Sequence, residues 1–195
     1  MKRIAPLLAA ATLSLSVAAC GSEGATGEPA GQPLKTTSGD APGEAAGEAL
    51  ALGQRAVAPF VDYGAREQPT KVGVRVLDVR KGDIADLRHF SLDRRQRRSV
   101  PYYVDAKFEN LGDFALTRNL LRASIEDADG REYRPATLIV LGGTFRPCPQ
   151  NSAGKLRPGQ TFTGCAAFLL PKGTELDRVR FQGDVTRDPL FWQPQ

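Results

Sequence analysis

The sequence predicts an all-β domain, an antiparallel β-sandwich over residues 59–195, with its core spanning residues 70–183. Several stretches alternate apolar and polar residues with a period of two, which is typical of half-buried strands. Gly, Pro, Asn and Asp residues separate those stretches, as turns require. No stretch has the extended apolar periodicity of a long helix. Six to eight short strands without a helix bury their apolar faces against each other, so two packed sheets are expected.

The first half of this domain contains three predicted strands. Residues 57–63 have strand composition, although Pro59 disfavours a strand there. Residues 72–76 alternate regularly, and the apolar positions change parity at Leu77, so a bulge is expected near that residue. In the strand at 102–109 one face carries the apolar residues Val104, Ala106 and Phe108, and charged residues alternate with them. One face of that strand is therefore expected to lie in the core.

The second half adds a hairpin signal, a long loop and further alternation. Asp129-Gly130 predicts a hairpin turn because both residues tolerate a positive φ angle. Residues 146–159 have the Gly and Pro content of a loop, and the tail through Trp192 is expected either to pack or to fray. The predicted strands are 121–126, 131–135, 161–170 and 176–181.

Residues 1–19 have the pattern of a secretory signal. Two bases precede an apolar run that is shorter than the roughly 20 residues of a membrane-spanning helix. The segment Val17-Ala-Ala-Cys20 resembles the bacterial lipobox, which implies that Cys20 carries a diacylglycerol group and becomes the mature N-terminus. The alternative is an ordinary cleaved signal followed by a chance cysteine. The lipobox interpretation predicts a protein anchored in the cell membrane by lipid on Cys20, facing the extracytoplasmic side.

Residues 20–58 are predicted to be a disordered tether that follows the lipidated cysteine. Gly, Ala, Glu, Pro, Ser and Thr dominate this segment, and it contains no aromatic residue. Its net charge after Cys20 is −3, whereas residues 59–195 carry +5. A mild positive excess favours weak attraction to anionic surfaces but is too small to indicate a nucleic-acid binder.

The two remaining cysteines, Cys148 and Cys165, predict a disulfide bond. An even pair in an exported protein forms a disulfide most simply, although two free thiols are the alternative. The bond would pin the 146–159 loop to the strand that contains Cys165. Closing a loop of this length is expected to stabilise the fold by about 3 kcal/mol.

Several segments together resemble a known family. The runs Tyr103–Gly112, Asp127–Tyr133, Leu156–Gly159, Gly164–Cys165 and Phe168–Gly173 are similar in order and spacing to secreted immunoglobulin-like modules. Such modules occur on actinobacterial and firmicute lipoproteins and include a mycobacterial secreted immunogenic antigen. The resemblance implies an immunoglobulin-like β-sandwich of unknown biochemical role, and the family supplies no catalytic residues.

No catalytic or metal site is predicted from the residue types. His89 is the only histidine, and no nucleophile or acid stands at a recognisable spacing from it. One histidine and two separated cysteines give no zinc cluster. Asp127-Ala-Asp129-Gly130 resembles a fragment of a calcium loop, but no glutamate closes it and a hairpin turn is favoured. We therefore expect no enzyme activity, no cofactor and no metal.

The most unusual local feature is a run of four arginines, Arg94, Arg95, Arg97 and Arg98, within the polar segment 82–99. One interpretation is a solvated loop. The other is a contact with anionic lipid, an anionic wall polymer or an acidic partner. Nucleic acid is not expected, because no aromatic residues alternate with the arginines to stack on bases.

The resulting functional prediction is a non-enzymatic binding module at the cell envelope. Its predicted contacts are membrane lipid through Cys20 and either an envelope protein or an anionic wall polymer. The alternative is an accessory subunit or ligand-capture module of an envelope enzyme or transporter.

Overall fold

The computed structural model describes residues 49–63, 67–139, 144–149 and 153–194. The signal, Cys20 and the tether up to residue 48 lie outside these residues. Short 3-10 helices occur at Ile84–Leu87, Gln96–Arg98 and Arg118–Leu120. Within the described ranges, no helix is long and apolar enough to cross a membrane.

In chain order the strands are β1 Leu50–Ala51, β2 Arg55–Val61, β3 Pro69–Lys81, β4 Ser99–Asn110, β5 Leu116–Thr117, β6 Ser124–Asp127, β7 Glu132–Tyr133, β8 Lys155–Leu156, β9 Thr161–Pro171, β10 Leu176–Phe181 and β11 Leu190–Gln193.

The strands form two main sheets, so the predicted all-β sandwich is confirmed. One sheet has the order β1-β11-β10-β6-β7, the other has the order β2-β3-β4-β9, and β5 pairs with β8 in a small ribbon. All pairings are antiparallel except that of β1 with β11, which is parallel. Apolar side chains from both sheets meet in one core. The five-stranded sheet ends at β7 and the four-stranded sheet ends at β9.

The long strands β3 and β4 carry the regular alternation that predicted them. Val104, Ala106 and Phe108 are buried on the inner face of β4, while Lys107 is exposed on the opposite face. The register between β3 and β4 shifts after Val76, which confirms the predicted bulge. The shift restores inward-facing apolar positions after the parity change in β3.

A second, smaller core covers the outer face of the four-stranded sheet. Tyr103 of β4 and Ala167 of β9 lie on that face. Leu87 of the first 3-10 helix and the loop residues Leu138 and Phe145 belong to the same buried cluster. Cys148 belongs to the same cluster and forms a disulfide with Cys165, with a Cα–Cα distance of 5.3 Å. The bond attaches Cys148, in the predicted 146–159 loop, to β9, as the sequence predicted.

The predicted boundary between tether and domain at residue 58 is wrong. Strands β1 and β2 begin at Leu50 and Arg55, and Ala56 and Ala58 are buried in the main core. Two physical facts explain the error. Small alanines make a buried strand resemble a flexible linker in composition, and Pro59 is tolerated because β2 is an edge strand.

Candidate functional site

The four arginines of the predicted contact surface lie in the turn that precedes β4. Arg94 and Arg95 form the turn, and Arg97 and Arg98 belong to the 3-10 helix that follows. All four side chains are exposed. The turn therefore presents four permanent positive charges to the solvent, because arginine keeps its proton at any physiological pH.

Hydrogen bonds give this turn a defined shape. The Asp93 carboxylate accepts a hydrogen bond from the Gln96 backbone N–H at 2.8 Å, and the Gln96 side-chain oxygen accepts one from the Asp93 N–H at 2.8 Å. The Arg97 Nε donates to the carbonyl oxygen of Leu92 at 2.8 Å, and Leu92 is buried in the second core. The charges are thus carried by a fixed turn and not by a loose loop.

Ion pairs distinguish these arginines from others in the domain. Arg55 pairs with Glu109 at 2.8 Å, and Arg178 pairs with Glu126 at 2.8 Å. Within the described part of the chain, no acidic side chain forms a salt bridge with any of the four turn arginines. Their charge is not neutralised locally and remains available for a ligand.

The fold adds a fifth base that the linear sequence does not place near the turn. Ser99 pairs with Pro171 in the β4–β9 register, so Lys172 follows directly beside the arginines. Arg94, Arg95, Arg98 and Lys172 line one open surface depression together with Ser99 and Pro171. None of these described lining residues is acidic. We call Arg94, Arg95, Arg97, Arg98 and Lys172 the arginine surface.

Two adjoining depressions extend the positive region. One contains Lys81 beside Arg97, Arg98 and Lys172, and its only described acidic residue is Asp83. The Asp83 carboxylate caps the next helix by accepting a hydrogen bond from a backbone N–H. The other depression brings Arg131 and Arg134 toward Arg95, with Glu132 between them. The pairing of β4 with β9 brings Lys172 to the turn, whereas Arg131 and Arg134 flank β7 of the other sheet.

The structure also shows where the remaining candidate residues lie. His89 is exposed. The Asp127 carboxylate accepts hydrogen bonds from the backbone N–H groups of Asp129 and Arg131 and from the Tyr133 hydroxyl, so it organises the predicted hairpin turn. Among the described residues, no three His, Cys, Asp or Glu side chains are grouped to bind a metal ion.

Comparison with known proteins identifies the fold. No protein-family model and no curated protein sequence matches this chain. Among solved structures, the secreted protein MPT63 of Mycobacterium tuberculosis is similar, with a TM-score of 0.50 and 16% identity, over 75% of this chain and 97% of that one. The two proteins share a β-sandwich fold. The predicted resemblance to a mycobacterial secreted β-sandwich is therefore confirmed at the level of the fold.

Two Bacillus subtilis proteins have lower structural similarity. The putative lipoprotein YcdA gives a TM-score of 0.44 at 11% identity, over 64% of this chain and 36% of that one. The YjhA protein gives 0.42 at 12% identity, over 70% of this chain and all of that one.

Proposed function

We propose that this protein is a non-enzymatic, lipid-anchored module on the extracytoplasmic side of the cell membrane, and that its arginine surface binds anionic lipid head groups. The observation that carries the proposal is the depression lined by Arg94, Arg95, Arg98 and Lys172, in which no described lining residue is acidic. Anchoring through Cys20 is the prediction of the lipobox. The disulfide supports an oxidising compartment, because such bonds persist mainly outside the cytoplasm.

The shape of the arginine surface favours an extended anionic surface over a small anion. Its depressions are open, and the positive charges lie on an exposed turn. Each base close to an anionic membrane contributes about 1 kcal/mol, and salt screens the attraction. Five bases therefore suffice for reversible adhesion, and lipid on Cys20 would raise the local concentration of head groups around the domain.

The proposal is tested by vesicle binding of the mature chain with Cys20→Ser, which removes the lipid attachment site. The protein is sedimented with vesicles of phosphatidylglycerol and phosphatidylcholine, and with vesicles of phosphatidylcholine alone. We expect binding to the anionic vesicles only, and loss of that binding at about 0.5 M salt, where screening extends over only a few Å.

Two charge-matched variants separate a specific surface from net charge. The test variant carries glutamate at Arg94, Arg95, Arg97 and Arg98. The control carries glutamate at four other exposed bases, namely Lys71, Lys107, Arg157 and Arg187. We expect the test variant to lose binding and the control to retain most of it. Equal binding by all three proteins, or an equal loss in both variants, would overturn the proposal.

A separate arm addresses the wall polymer. Binding to purified anionic wall material, together with no binding to anionic vesicles, would assign the arginine surface to the polymer and overturn the lipid assignment. Circular dichroism of both variants checks that the sandwich is intact.

A further inference from the structure

A cavity of about 160 Å³ lies between the two sheets at their open edge. β7 ends one sheet and β9 ends the other, and the segment that follows β7 runs along β9. The backbone N–H of Ala136 donates to the carbonyl oxygen of Ala167 at 2.7 Å, which closes this side of the cavity. The described lining residues are Val104, Ala106, Phe108, Leu121, Arg122, Ala123, Pro135, Ala136, Thr137, Leu138, Phe162, Gly164, Cys165, Ala166 and Ala167.

Small side chains create this cavity. Ala106 of β4 faces Gly164 of β9 in the sheet register, and Ala123 lines the cavity from the position just before β6 of the opposite sheet. The glycine also lets the Phe162 ring lie across β9, since a Cβ at position 164 would come within 2.7 Å of that ring. Protein interiors are close-packed and contain few voids larger than a water molecule. A cavity of this size, mainly apolar and partly open at the edge of the sandwich, is therefore a candidate ligand site.

The chemistry of the lining defines the ligand class. Two of the described lining residues, Arg122 and Thr137, are polar. The others have apolar or unreactive side chains. Arg122 is exposed to solvent, whereas Ala106 and Ala123 are buried. The interior of the cavity thus suits a hydrocarbon group, and a positive charge is available at its solvent-facing side.

We propose that this cavity binds the tail of a short aliphatic carboxylate, with the carboxylate paired to Arg122. A dry apolar cavity of about 150 Å³ is large enough for benzene, so a chain of roughly six carbons is the expected size. The site shares no residue with the arginine surface. It is therefore a second binding function, independent of contact with anionic lipid head groups.

The test is an NMR titration of the mature chain with Cys20→Ser, using hexanoate as the probe and hexanol as its neutral match. We expect hexanoate to shift the resonances of Ala106, Ala123 and Ala166, and hexanol to bind several-fold more weakly. Arg122→Gln should reduce hexanoate binding to the level of hexanol without changing hexanol binding.

Filling the cavity provides the second arm. Ala106→Leu should abolish binding of both probes, while Ala85→Leu, the same change at an exposed site, should leave it unaffected. If Ala106→Leu does not fold, Ala123→Val serves the same purpose with a smaller side chain. Absence of shifts in the wild-type chain, unchanged binding in the filled variant, or equal affinity for hexanoate and hexanol would overturn the proposal.

Discussion

The indole Nε1 of Trp192 donates a hydrogen bond to the backbone carbonyl oxygen of Gln54 at 2.9 Å, across 138 residues of chain. Trp192 is fully buried in the main core, and Gln54 lies between β1 and β2. The bond therefore joins the first strands of the domain to the last. The C-terminal tail packs and is part of the sandwich, which the sequence alone left open.

Trp192→Ala should lower the free energy of unfolding by about 3–5 kcal/mol, because it removes a large buried side chain and leaves a cavity. Phe191→Ala is the control, since the Phe191 ring is only half-buried. The guanidinium carbon of Arg178 lies 4.1 Å from the centre of that ring. We expect the control to lose much less stability. Urea denaturation followed by far-UV circular dichroism measures both. A loss below about 1 kcal/mol for Trp192→Ala would contradict the central position of this side chain.

Replacing both Cys148 and Cys165 with serine should destabilise the domain by about 3 kcal/mol, because the unfolded chain regains the entropy of an open loop. The second core should loosen most, since Cys148 belongs to it and Phe145 lies on the short segment that the bond attaches to β9. Hydrogen exchange of the Tyr103 region would report this loosening. Reduction of the wild-type protein should reproduce the loss, and equal stability with and without the bond would be inconsistent with this account.

Asp127 should make the domain sensitive to acid. Its hydrogen bonds with the backbone N–H of Arg131, the Tyr133 hydroxyl and the N–H of Asp129 lower the pKa of the carboxyl group. The stabilisation is present above the unfolded-state pKa of about 3.9 and is lost as the pH falls through the lower folded-state value.

Asp127→Asn should therefore be less stable than the wild type at pH 7, and the difference should shrink as the pH falls below about 4. Free energies of unfolding measured over this range test the prediction. Asp129→Asn, at an exposed neighbouring position, is the control. A stability difference that is constant with pH would show that the carboxylate charge does not matter.

Asn110→Asp should destabilise the domain by about 1–3 kcal/mol. The Asn110 Nδ2 donates to the carbonyl oxygens of Phe114 at 2.7 Å and Leu156 at 2.8 Å, and its Oδ1 accepts from the Gly112 N–H. A carboxylate at this fully buried position would face two acceptors and have no proton to donate. Thermal unfolding at neutral pH is the measurement, with Asn119→Asp, at an exposed site, as control. Equal melting temperatures would contradict the role of the amide.

Local periodicity predicted much of the sandwich. The strand at Leu176–Phe181, the bulge after Val76 and the Asp129-Gly130 hairpin each arise from features within a few residues, which a sequence displays directly. The domain start at Leu50 was missed because its short strand depends on the pairing of Leu50 with Trp192 of β11, at the other end of the domain.

The same difference between local and long-range features applies to the candidate sites. The arginine run is local and was visible, whereas Lys172 joins it only through the register of β4 with β9. The cavity could not be predicted at all, because alanines and a glycine on three separate segments create it only when the two sheets face each other.

The parallel pairing of β1 with β11 has a mechanical consequence. With the anchoring at Cys20 that we propose, drag on the domain would be transmitted through Leu50, into a pairing that is only two residues long. Tension would peel this strand away first, and then break the hydrogen bonds that join Gly53 to Val76 and Gln54 to Trp192. Each released residue lengthens the chain by up to about 3.4 Å. The short strand β1 would thus detach and lengthen the chain under a brief pulling force, before that force reaches the seven-residue strand β2.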